Sequence, residues 1–376
     1  MEDSLGLNED EIKIYQELQQ HLDELPVGYP PTKSGVELKL LTYYFTPEEA
    51  KIAIRLKYKF PMKSLESLEE IYNNVKDLGI SKEKLENSLD NMVKKGSLFF
   101  KQENGKKYYA NDILVLGLYE HKVNKLTRDF LDTFNQYLIE AFAQEFLSTN
   151  ISQFRTVPVE KSITREHHLP TYDELKKIIE DLEGPICVQN CICRQGSDIL
   201  GIPCEKTELR ENCMGFGELA QLYIHNGWGR EINKEEALEI LRKSQEDGLV
   251  FEAGNALSPH FLCSCCGCCC GILQFLRLMP NTAELLPSNH FAEVDLELCT
   301  GCGTCAERCQ IYAIEIRNEK SEINVKKCIG CGNCIVTCPE EAIHLAKKDY
   351  ESRPPSTPEE LYEKILEKKI VLKGQK

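Results

Sequence analysis

Nineteen cysteines give this 376-residue chain its chemistry, and all of them fall between Cys187 and Cys338. Eight form two copies of one pattern. Cys299, Cys302, Cys305 and Cys309, then Cys328, Cys331, Cys334 and Cys338, each follow C-x2-C-x2-C-x3-C and repeat with a period of 29 residues. Thiolates at such spacing are ligands for soft metals. A cubane iron–sulfur cluster presents iron at four corners, and each iron needs one thiolate. Three cysteines at steps of three wrap such a cluster from a single tight loop, so the fourth ligand must come from elsewhere. Zinc also uses four-cysteine sites, but two tandem motifs of this form point far more specifically to iron–sulfur clusters. Gly301, Gly303, Gly330 and Gly332 fit a backbone lying close to inorganic sulfide, because no Cβ intervenes. Ile314, Ile316, Ile323 and Val325 suit a hairpin between the motifs, and Ala342–Ile343 repeats Ala313–Ile314.

The paired motifs resemble those of bacterial-type two-cluster ferredoxins, where each cluster takes its fourth ligand from the other motif. That resemblance implies a ferredoxin fold at residues 290–346 with two 4Fe–4S clusters. Cys299, Cys302, Cys305 and Cys338 would hold one; Cys328, Cys331, Cys334 and Cys309 would hold the other. One position departs from the family pattern: Gln310 stands where proline is usual. It restores a backbone N–H and loosens the turn, which would tune the second cluster's potential slightly.

Eleven cysteines remain, all within residues 151–289. Cys191, Cys193, Cys204 and Cys213 suffice for a third cluster, with Arg194 beside it to offset negative charge. Cys263, Cys265, Cys266, Cys268, Cys269 and Cys270 put six thiols in eight residues. Adjacent side chains diverge, so the string cannot wrap one cubane. Either some are not ligands, or two metal centres share it, or the centre is not a simple cubane. Zinc and inert buried thiols are the competing uses. His260 is a candidate ligand nearby, although such a histidine is more often a neighbour. Cys187 lies in the apolar run Pro185–Val188 and reads as core. The Cys-Ile-Cys-Arg segment followed by the dense string resembles multi-cluster 4Fe–4S binding proteins of anaerobic prokaryotes over most of the chain. The resemblance implies iron–sulfur cofactors and a helical or winged-helix front end, and no substrate.

The elements around these cysteines suggest an α+β chain in four parts: 1–150, 151–289, 290–346 and 347–376. The first part is cysteine-free and mostly helical in pattern. Thr46–Glu49 begins one helix; Leu68–Leu78 forms a second, ended by Gly79. A third spans Ser81–Lys95, with Leu85, Leu89, Met92 and Val93 on one face and Gly96 as its stop. Asn104–Gly105 between aromatic runs signals a hairpin. Helices followed by a hairpin resemble a winged helix-turn-helix over residues 40–115. The third helix exposes Lys82, Glu83, Glu86, Asn87, Asp90 and Lys94, and three carboxylates among these six argue against a DNA groove. Lys101, Lys106 and Lys107 on the wing keep nucleic acid open as a partner. In the middle part, Phe216–Asn226 and a helix capped by Asn233 with Glu236 suggest a small helical framework carrying cysteines on its loops. After the break at Arg353–Pro358, a terminal helix Glu359–Lys368 is expected.

A 42% hydrophobic, 28% charged composition can bury ordinary cores. The formal charge of −15 favours basic protein partners and opposes non-specific binding to DNA or anionic lipid. The opening MEDSLGLNEDE lacks the features of a signal peptide, which suggests a cytoplasmic protein with reduced thiols. The longest uncharged stretch, Phe261–Leu276, has 16 residues of which six are cysteines, so metal binding explains it better than membrane insertion. There is no G-x-G-x-x-G leading into a helix, no Walker A sequence and no hydrolase motif. His167–His168 reads as a surface pair and Trp228 as packing. These features suggest an iron–sulfur protein relaying single electrons between redox partners. The rivals are a redox-sensing DNA-binding regulator and an oxidoreductase subunit with a catalytic centre at the Cys263–Cys270 string. Whether the chain is itself an enzyme, and its oligomeric state, are not legible in the sequence.

Overall fold

The structure, a computed structural model, describes residues 6–60, 65–163 and 173–374. It contains both helices and sheets, the α+β class expected, arranged in two compact units. One comprises Met1–Ile151, Leu222–Trp228 and Glu359–Lys376; the other comprises Ser152–Gln221 and Gly229–Pro358. His167–His168 lies outside the described residues.

In the first unit, helix starts follow local chemistry. Asn8, Thr46 and Ser67 each close a capping box, opening helices Glu9–Leu22, Pro47–Ala53 and Leu68–Asn74. Ser81 accepts from Lys84 N to cap helix Lys82–Lys95, and Gly96 ends it at φ 84°. Leu85, Leu89, Met92 and Val93 form its buried face, as their spacing requires. Strands β1 (Glu66–Ser67), β2 (Phe99–Glu103) and β3 (Lys106–Ala110) pair in the order β1-β3-β2. Asn104 and Gly105 turn the β2–β3 hairpin with positive φ at both residues. The C-terminal helix spans Pro358–Gly374 and does not stop at Lys368. No Gly or Pro interrupts it there, and buried Lys369 anchors the extra turns. Its ammonium bonds the carbonyls of Asp23 and Leu25, each at 2.8 Å, and pairs with Glu145.

The second unit is built on a six-stranded antiparallel sheet. Its strands are β4 (Phe154–Val157), β5 (Ile186–Asn190), β6 (Glu211–Phe216), β7 (Arg230–Ile232), β8 (Val250–Gly254) and β9 (Phe261–Cys265), ordered β4-β8-β9-β6-β5-β7. Helices Leu175–Glu180 and Lys234–Glu246 pack on it, around a core including Ile178, Val188, Met214, Leu241, Phe251 and Leu262. The helix capped by Asn233 is present, accepting from Glu236 N at 2.8 Å. The framework as a whole is not helical, however. Cys213, Cys263 and Cys265 sit on strands and not on loops. The reason is burial: β8 is buried at all five positions, and a short strand covered on both faces shows no alternation to read.

The same unit continues with β10 (His290–Val294), β11 (Ile314–Arg317), β12 (Lys320–Ile323) and β13 (Ile343–Lys347). β10 pairs with β13 and β11 with β12, both antiparallel, and Ile314 faces Ile323 across the second pair. The β11–β12 turn is made by Asn318 and Glu319 with positive φ at both. Val325 falls beyond the hairpin and is exposed. The two cysteine motifs occupy the connections between these strands.

Candidate metal centres

The first motif is a loop leading into the short helix Thr304–Arg308. Cys299, Cys302 and Cys305 line one side of a small pocket, and Cys338 of the second motif lines it too. Ser321, Pro339 and Glu340 complete part of its wall. Cys302 is exposed, the only one of the nineteen thiols that is. The other four thiols lie deeper. Cys331 and Cys334 both feel the charges of Cys309 and Cys328, so these four share one environment. Burial pushes the Cys331 thiol up to about 12 and raises Cys334 well above the ordinary range. Bare thiols there resist ionisation, so a bound metal has to displace the protons.

Backbone amides are aimed at these sulfurs. Ala313 N donates to Cys309 Sγ at 3.2 Å and Ala342 N to Cys338 Sγ at 3.3 Å, equivalent positions of the 29-residue repeat. Ser321 N donates to Cys299 Sγ at 3.4 Å and Ala292 N to Cys328 Sγ at 3.3 Å. Such bonds stabilise thiolate charge and set cluster potentials. Gly301 and Gly330 adopt φ of 71° and 65°. A Cβ at Gly301 would collide with the Glu319 carbonyl oxygen, and one at Gly330 with that of His290. The crowding that requires glycine is therefore from neighbouring backbone, together with the left-handed conformation.

Gln310 is buried and does more than loosen a turn. Its side chain accepts from Gly267 N at 2.9 Å and donates to Gly248 O at 3.1 Å, while its carbonyl accepts from Arg277 Nε at 2.7 Å. Asn333 adds bonds to the carbonyls of Gly248 and Leu249, both at 3.1 Å. The C-terminal motifs are thereby stitched to the turn that carries the middle thiols.

In the middle segment the structure groups ten thiols into two sets. Six thiols form a ring of neighbours that perturb one another in turn, Cys191, Cys193, Cys270, Cys265, Cys263 and Cys213, and of these Cys265 and Cys270 lie with the Glu252 carboxyl within 4.8 Å of one another. Strand pairing explains the ring. Met214 faces Leu262 across β6 and β9, which brings Cys213 beside Cys263. Cys191 and Cys193 open the helix Ile192–Leu200 next to β5, and Cys270 opens the helix Gly271–Arg277. Hydrogen bonds from Cys193 and then Cys213 hold Cys191 well below the ordinary thiol range. The same contacts raise Cys193 and Cys213. Glu252 touches the ring: Cys265 Sγ donates to its carboxyl at 3.4 Å, and burial pushes that carboxyl up to about 7.

The second set is Cys204, Cys266, Cys268 and Cys269, whose sulfurs all lie within 4.8 Å of one another. A bond from Cys269, with Arg194 nearby, pulls Cys266 down to about 5. Cys204 thus belongs with three members of the string, not with Cys191, Cys193 and Cys213. Arg194 is fully buried, bonding Asn212 Oδ1 at 2.8 Å and Ser264 O at 2.9 Å, and it feels the thiols of both sets. Cys187 stands apart. It is buried opposite Gly215, and burial raises its thiol to about 11. His260 packs edge-on against Phe261 at 4.9 Å and is in neither set.

On the first unit's hairpin, Lys107 bonds Glu86 at 3.1 Å and Asp90 at 2.7 Å, and Tyr109 also donates to Asp90. The hairpin's Lys107 is thus spent on the carboxylates of the neighbouring helix. Trp228 is buried, stacked on His121 at 5.1 Å and edge-on to Tyr223 at 5.4 Å. Among the described residues no helix is long and apolar enough to cross a membrane.

No curated protein and no solved structure matches the chain. Residues 292–339, which hold all eight cysteines of the two motifs, match the family model of the 4Fe-4S dicluster domain, and this part of the chain makes it an iron–sulfur protein.

Proposed function

We propose that the chain is an electron carrier with two 4Fe–4S clusters in its C-terminal motifs and at least one further iron–sulfur centre in the middle segment. The observation that carries this reading is the pocket that gathers Cys299, Cys302 and Cys305 of one motif with Cys338 of the other. Its four thiols and the amides aimed at Cys299 and Cys338 suit an anionic cluster. Cys309, Cys328, Cys331 and Cys334 would hold the second. Bound clusters supply reversible one-electron transfer at potentials set by sulfur hydrogen bonds and exposure.

Exposed Cys302 marks the port through which a partner is reached, and Glu340 in the same wall with the −15 chain charge favours a partner with a basic face. The six-thiol ring offers two more thiols than a cubane uses, which favours a larger or unusual iron–sulfur centre there. A DNA-binding regulator is less well supported, because Lys107 is already engaged by Glu86 and Asp90. Anaerobic purification with iron, sulfide and Mössbauer quantitation tests the proposal. More than about eight irons per chain, reducible in one-electron steps, is expected. About eight irons or fewer would overturn the middle centre, and clearly fewer than about eight would overturn the two-cluster reading as well.

A further inference from the structure

The four thiols outside the ring have a geometry of their own. Cys266, Cys268 and Cys269 come from one tight turn after β9, closed by Cys270 N to Cys266 O at 3.0 Å. Gly267 in that turn donates to Gln310, and a Cβ there would collide with the Arg277 guanidinium. Gln274 Nε2 holds the Cys268 carbonyl at 2.6 Å, and Leu249 packs against Cys266 and Cys269. The turn is therefore pinned from several sides. Cys204 reaches it from the loop between helix Ile192–Leu200 and β6.

The sulfur separations are short. Cys204 to Cys266 is 3.6 Å, Cys204 to Cys268 is 3.7 Å, and Cys268 to Cys269 is 3.7 Å. Four sulfurs around a single ion at about 2.3 Å define a tetrahedron with edges of about 3.8 Å. A cubane instead places a separate iron under every thiolate and spreads the sulfurs further apart, as the C-terminal pocket allows. A second observation points to an anion at the same place. Arg194 is fully buried and forms no ion pair with a carboxylate among the described residues, its Nε has no hydrogen-bond partner, and it lies near Cys204 and Cys266. A buried guanidinium needs negative charge beside it. One divalent ion with four thiolates carries a net charge of −2.

We infer that Cys204, Cys266, Cys268 and Cys269 bind a single tetrahedral divalent ion, zinc or mononuclear iron, separate from any cluster in the six-thiol ring. All four positions are filled by protein, so the site is closed, and its role is structural: it staples the Cys204 loop to the turn below the ring. The inference goes beyond the electron-carrier reading and does not depend on it.

The test uses the full chain, purified anaerobically, with metals and acid-labile sulfide measured together. Cys204→Ala and Cys268→Ala should each lose one metal equivalent per chain with sulfide unchanged. Zinc edge absorption spectroscopy should show four sulfurs and no metal–metal scattering; if the ion is iron, Mössbauer spectra should show one high-spin site without sulfide. Chain stripped of this ion should take up one Co2+ with tetrahedral thiolate bands, and neither variant should. Loss of about four irons with four sulfides would overturn the inference, as would unchanged metal content. Should the variants fail to fold, the wild-type absorption and Mössbauer spectra decide alone. Failure of the electron-carrier reading would show differently, as missing sulfide in the wild type.

Discussion

In the C-terminal stretch each thiol set centres on one looped motif; in the middle stretch the six-thiol ring is gathered from elements far apart in sequence. Cys299, Cys302 and Cys305 come from one loop and only Cys338 is recruited from outside. The middle ring collects its members from two helix starts and two paired strands. The packing differs as well. Cys299, Cys302, Cys305 and Cys338 line one pocket, while Cys204, Cys266, Cys268 and Cys269 make three sulfur contacts of 3.6–3.7 Å. A set assembled across a sheet depends on long-range folding and on a buried counter-charge.

The strongest way to break the comparison is to remove one ligand from each cage. Cys338→Ala should cost the pocket its cluster, lowering iron by up to about four atoms per chain. Cys309→Ala should do the same for the deeper cluster. Low-temperature electron paramagnetic resonance should show a different signal lost in each variant. If both variants lose the same signal, the ligand exchange between motifs is wrong.

Next in size is Arg194→Met, which removes the buried cation both middle sets feel. The metal-loaded chain should lose roughly 3–5 kcal/mol in denaturant unfolding, because buried anions are left unpaired. Signals of the C-terminal clusters should persist. Wild-type stability in this variant would mean that the middle thiols are neutral and metal-free. A smaller effect is expected for Gln310→Ala, which orphans Gly267 N and removes one of the two side-chain donors to the Gly248 carbonyl. About 1–3 kcal/mol is at stake for such buried groups, read by the same unfolding experiment. The smallest belongs to Cys187→Ala. It should change neither iron nor sulfide and cost only about 1 kcal/mol, as a small buried side chain outside both sets. Metal loss in this variant would reopen the division of the middle thiols.

Much of the structure could be read from local signals. The caps at Thr46, Ser81 and Asn233 lie where sequence places them, because each depends on residues three positions apart. So does the Asn104–Gly105 hairpin. The motif cysteines were legible for the same reason. Cys204 was not: it was grouped with Cys191, Cys193 and Cys213, which precede and follow it in sequence, whereas its sulfur partners lie more than sixty residues away. Only the pairing of β6 with β9 separates the sets, and neither strand alternates clearly enough to announce itself. The charge of Arg194 is legible in the sequence, but its position between two thiol sets needs the fold.

Gln310 has a consequence beyond stability. Electron tunnelling falls off steeply with the gap between donor and acceptor, so two redox regions joined by a hinge exchange electrons at a rate set by the hinge. The amide of Gln310 ties the C-terminal motifs to Gly267 in the Cys266–Cys269 turn through its oxygen and to the Gly248 carbonyl through its nitrogen. A proline ring offers neither group. If both stretches hold redox centres, these two ties oppose a change in their separation, so transfer between them would run over a constant gap.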